Sequence, residues 1–153
     1  MIIDTLVGIL TLQLCTVSVV VGMEAELDEW AVGDVRQTED RIVSQWREVS
    51  ADQKHQLRGR FDEILRPLGY ETSLVVIRPA SSIALYFICM TLSAVTSLHD
   101  QWRTGQLRRL VEFLFAFLTG ATGRVYIKRL TWPLFDYKRC LDFFSSARGQ
   151  QTT

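Results

Sequence analysis

The chain has 153 residues, 48% of them hydrophobic, and its seventeen Lys and Arg balance seventeen Asp and Glu. Three cysteines without a CxxC or metal-ligand spacing exclude a disulfide framework and a zinc module, and a chain with no net charge gives no reason to expect a nucleic acid partner. A mean hydropathy of +0.11 exceeds what one small water-exposed domain needs, because the apolar residues are bunched into runs.

The leading run, Thr5 to Met23, has no ionisable acid or base over nineteen residues. Met1 to Asp4 lacks the basic start of a cleavable signal, so residues 1–23 read as an N-terminal transmembrane helix retained as an anchor. Ser18-x-x-x-Gly22 is a spacing that lets two helices approach closely.

Residues 24–78 change character. They carry twelve acidic and eight basic side chains, with apolar residues at Leu27, Ala31, Val35, Ile42, Trp46 and Val49 falling on one helical stripe. A second stripe follows through Leu57, Phe61, Ile64, Leu65 and Leu68, and it stops at Arg66-Pro67-Leu68-Gly69. The expected unit is an extramembrane helical hairpin. Two helices with one stripe each bury little surface alone, so Trp46, Phe61 and Leu65 are the expected partner-binding residues. Tyr70 to Arg78 has β-type composition with no visible partner strand, and reads as an extended linker.

Pro79 to Leu98 is again free of charge over twenty residues, which as a helix is about the 30 Å thickness of a bilayer core. Residues 79–98 therefore read as a second transmembrane helix. Its polar face, Ser82, Tyr86, Ser93 and Ser97, suits helix packing or a pore lumen. Residues 99–129 read as a loop and a third membrane helix, Leu110 to Ile127, spanning or lying in the interface, whose intramembrane charge Glu112 has Arg108 and Arg109 close enough to neutralise it. With three spans the positive-inside rule puts the middle segment and the tail, fourteen Lys and Arg together, opposite a loop with three. Residues 130–153 read as an amphipathic interfacial helix and polar tail, with Leu134, Tyr137, Leu141 and Phe144 on one face and Asp136, Lys138, Arg139 and Asp142 turned toward water, the basic C-terminal segment binding lipid.

The expected fold class is an all-α integral membrane protein with two or three transmembrane helices, an extramembrane amphipathic hairpin and a C-terminal interfacial helix. Its expected place is a bacterial inner membrane or an organellar inner membrane. Little in the chain carries chemistry. His55 and His99 fall in different segments and make no ligand pair, and Cys15 and Cys89 lie near the centres of the apolar runs, with Cys140 beside Lys138 and Arg139. No nucleophile, phosphate loop or dinucleotide signature is present, no cofactor is implied, and neither RPLGYE nor TWPLFDYKRC carries a family signature. The surplus of amphipathic surface points to a non-catalytic accessory or assembly subunit of a larger membrane protein complex, bound to other membrane-protein subunits and, through its basic end, to lipid. The alternative is a homo-oligomeric membrane pore or effector.

Overall fold

A computed structural model describes residues 18–29, 34–51, 56–120 and 125–151. Along the chain run β1 (Val19–Leu27), α1 (Val35–Ala51), α2 (Gln56–Leu65), a 3₁₀ turn (Arg66–Leu68), β2 (Thr72–Pro79), β3 (Ile83–Cys89), α3 (Leu92–Arg103), α4 (Gln106–Thr119), β4 (Ile127–Thr131) and α5 (Leu134–Gln151). The strands form one sheet in the order β2-β3-β1-β4, and every neighbouring pair is antiparallel. Two βαβ units thus interleave, each crossover skipping one strand, which is the split βαβ arrangement.

The alternation along β1 explains how the sheet meets the helices. Val19, Val21, Met23, Ala25 and Leu27 point to one face and are at most 3% exposed. Opposite them on the same face stand Cys89, Phe87, Leu85 and Ile83 of β3. This face shares one core with Ile42 and Trp46 of α1, Leu98 of α3, and Leu107, Val111, Leu114 and Phe115 of α4. The other face carries Gly22, Glu24, Val76, Arg78, Ala84, Tyr86 and Ile88. Gly22 is required there: a Cβ in its place would lie 3.2 Å from Tyr86 Cε1, and the ring lies over the bare backbone instead.

These elements overturn the all-α membrane architecture. The structure holds a four-stranded antiparallel sheet, and among the described residues no helix is long and apolar enough to cross a membrane. The run 79–98 divides at two polar points. Pro79 closes β2, which as an edge strand tolerates a residue without N–H; Ser81 and Ser82 make the turn; Ile83–Cys89 is β3, buried at every position but Tyr86; and Thr91 caps α3, its Oγ1 accepting from Ala94 N at 3.0 Å and donating to Glu71. A central strand packed on both faces has the composition of a spanning helix without its length. The leading run is divided too: Val19–Met23 belongs to β1, and its residues before Ser18 lie outside the described residues.

The expected hairpin helices exist, but they pack into the domain rather than stand apart from it, α1 against β2 and α4, and α2 against α4 and α1. Asp34 starts α1 by accepting from Gln37 N at 3.1 Å, and Ile42, Val43, Trp46 and Val49 then line its buried side. Tyr70 to Arg78 is no linker: Thr72–Pro79 is β2, paired along β3 with a bulge between Leu74 and Val76. The third span is α4, fourteen residues long, followed by β4 instead of a membrane exit. The interfacial helix is α5, whose Cys140 and Phe144 are buried in the common core.

Candidate functional site

An open apolar surface lies between α2 and α4. Gly105 adopts a left-handed backbone (φ 84°) that reverses the chain after α3, and this lays α4 back across the domain. The core side of α4 takes Leu107, Val111, Leu114, Phe115 and Leu118. Its other side is also apolar. Leu110, Phe113, Ala116 and Phe117 follow one another at helical spacing, and with Ile64 and Pro67 they line a groove beside α2. One stretch of the groove encloses about 530 Å³, with Glu63, Gln101, Gln106 and Arg109 on its rim. A second stretch of about 340 Å³ runs past Arg60. Phe113 stands 70% exposed where the two meet. Gln101 Nε2 donates to Pro67 O at 3.1 Å and ties α3 to the groove's end.

A second constellation joins α3, β4 and α5. The His99 imidazole stacks on Tyr137 with centroids 3.7 Å apart and planes at 11°, and Trp132 meets it edge-on at 5.5 Å. Trp102 Nε1 donates to Leu130 O at 2.8 Å, and Trp132 Nε1 donates to Asp136 Oδ2 at 3.1 Å, so each indole has its partner. Burial lowers the His99 pKa, with Asp100 pulling it up and Arg103 pressing it down. The neutral imidazole is thus the form the cluster favours. With its two indole N–H groups directed to a backbone carbonyl and to Asp136, the cluster works as a clasp holding α5 on α3.

Among the described residues both thiols, Cys89 and Cys140, are buried. Burial pushes Cys89 up to about 12, against a small downward pull from the Thr72 hydroxyl, and burial pushes Cys140 up to about 11 against the pull of Arg139. Among the described residues no group of His, Cys, Asp and Glu is placed to hold a metal ion.

The residues singled out from sequence are scattered. Trp46 and Phe61 are 6% and 4% exposed, face each other at 5.1 Å and belong to the domain's own core, and Leu65 packs against the same core. Ser82 sits in the β2–β3 turn, Tyr86 on the sheet's second face, and Ser93 and Ser97 on the exposed side of α3, so they share no common face. Glu112 lies within α4, where its Oε2 accepts from Ile127 N at 2.8 Å; it forms no ion pair with Arg108 or Arg109, both exposed. Cys15 and His55 lie outside the described residues. Phe113 is the residue sequence reading passed over. Its signal was present: LVEFLFAF leaves α4 apolar on both sides, more than one core contact uses.

Comparison with protein-family models, with curated proteins and with solved structures found no match for the chain.

Proposed function

We propose that this domain is a non-catalytic accessory or assembly module that takes a protein helix into the groove between α2 and α4. The observation that supports the reading is Phe113, 70% exposed above an apolar hollow of about 530 Å³. Burying such a ring is worth roughly 1.5 to 3 kcal/mol, and exposed aromatic side chains beside a pocket are typical anchors of protein interfaces. A groove between two helices with an apolar floor and a charged rim is what an amphipathic helix docks into, its anchors spaced at i, i+3, i+4 and i+7. The reading needs no catalytic step and no cofactor.

Affinity capture of the tagged full chain tests it, with Phe113→Glu as the disrupting variant and Phe135→Glu, exposed on α5 away from the groove, as the control. A protein partner, another copy of this chain included, should be retained by the wild type and by Phe135→Glu and lost with Phe113→Glu. Identical partners for all three would sink the reading.

A further inference from the structure

We propose that the occupant of this groove is a second copy of the chain, docked about a two-fold axis that runs along the groove; the inference rests on the groove being a protein-docking surface. The surface carries both halves of a contact. Phe113 projects as a knob, and the hollow beside it, floored by Ile64 and Leu110, is a hole of matching character. An isologous interface needs that self-complementarity, because the same patch must serve both subunits.

Charge selects this occupant over a partner of one sign. Glu63 on α2 and Arg109 on α4 line the same stretch of the groove from opposite helices, and no ion pair joins them within the chain. A two-fold axis along the groove keeps each residue at its own height while exchanging the two helices. It lays α4 of one copy over α2 of the other, so Phe113 enters against Ile64 of the second copy and Arg109 meets Glu63 of the second copy, twice per dimer. A uniformly acidic or basic helix would satisfy one member of the pair and oppose the other.

Sedimentation velocity of the full chain over a wide concentration range reads the outcome. The expected result is a species of twice the chain mass whose dissociation constant rises about tenfold or more with Phe113→Glu, and in the same direction with the uncharged Phe113→Ser. Glu63→Arg and Arg109→Glu should each weaken the dimer by placing like charges opposite each other, and the double exchange should restore it. A wild type that stays monomeric, a dimer indifferent to both Phe113 variants, or a double exchange no tighter than the singles overturns the proposal. Anilinonaphthalene sulfonate fluorescence on the same samples separates the two levels. A monomer that binds the dye in a Phe113-dependent way excludes the second copy and leaves the docking groove standing; a monomer without such binding removes both.

Discussion

Arg139 Nη2 donates to the carbonyl of Val20, 119 residues earlier, at 2.7 Å, while its Nε and Nη2 hold Asp136 Oδ1 at 3.0 and 2.8 Å. The contact sits where the sheet would otherwise be open. β4 pairs with β1 only from Glu24 to Leu27, so among the described residues the outer edge of Val19 to Met23 has no strand beside it and receives α5 instead. Replacing Arg139 by Ala leaves a strand carbonyl and Asp136 Oδ1 without their donor, while Oδ2 keeps that of Trp132 Nε1. Because the guanidinium is half exposed, the expected cost is about 1 to 2 kcal/mol, and Arg139→Lys should recover only part of it, since an ammonium lacks the fork that reaches both acceptors. Urea unfolding midpoints measure this; an unchanged midpoint for Arg139→Ala would show that the contact holds nothing.

Glu112 fixes the start of β4 by accepting from Ile127 N. Glu112→Ala should cost about 1 to 3 kcal/mol and speed hydrogen exchange at the Ile127 amide, whereas Glu112→Gln keeps an oxygen acceptor and should retain most of the protection. Equal exchange in both variants and the wild type would contradict the assignment.

His99 makes stability depend on pH. Its folded pKa is lowered by burial among Trp102, Trp132 and Tyr137, so as pH falls the unfolded chain takes up the proton first. The stabilising contribution is complete above the ordinary imidazole value of about 6.5 and is lost as pH drops through the lower folded value. His99→Phe, which keeps an aromatic ring on Tyr137, should flatten the difference in unfolding free energy between about pH 7 and 5 relative to wild type. Parallel curves would rule His99 out as the source.

Thiol titration tests the buried cysteines. In a Cys15→Ser background, Cys89 and Cys140 should stay unreactive toward a disulfide reagent at pH 8, because almost no thiolate forms at values of about 12 and 11. Both should react at once in denaturant. Rapid labelling of the native protein would mean that α5 opens readily from the core.

Trp46→Ala and Phe61→Ala should each destabilise the domain by about 3 to 5 kcal/mol, the cost of emptying a packed aromatic site. Chemical denaturation decides the point. Full stability with a lost binding partner would instead return these two residues to an interface.

The parts of the fold readable from sequence were those in which one periodicity spans one element. The stripe Ile42, Trp46, Val49 marks α1, Pro67 and Gly69 mark the end of α2, and Tyr137, Leu141 and Phe144 mark the inner side of α5. The sheet was hidden because β3, a central strand lined with apolar residues on both faces, loses the alternation that announces it, and in β1 the alternation with Glu24 and Glu26 starts only where the uncharged run ends. β2 showed strand composition, yet its partner lay inside a run already assigned to lipid, where only Ser81, Ser82 and Thr91 betrayed the turn and the cap. The groove escaped for a different reason. A helix apolar on two sides fits a membrane, a core or an interface equally well, and only the position of α4 against α2 separates the three.

The central place of β1 has a consequence for synthesis. Glu24 pairs with Ala84 on one side and Thr131 on the other, so the strand made first among the four waits for the strand made last. At about 5 to 20 residues per second, a ribosome needs roughly 5 to 20 s to cover the interval between Glu24 and Thr131. Throughout that time a nascent chain, even one that has already formed the β1–β3 pair, presents an unsatisfied backbone edge from a strand rich in valine, and neighbouring nascent chains on the same message would find it the readiest template for wrong pairing.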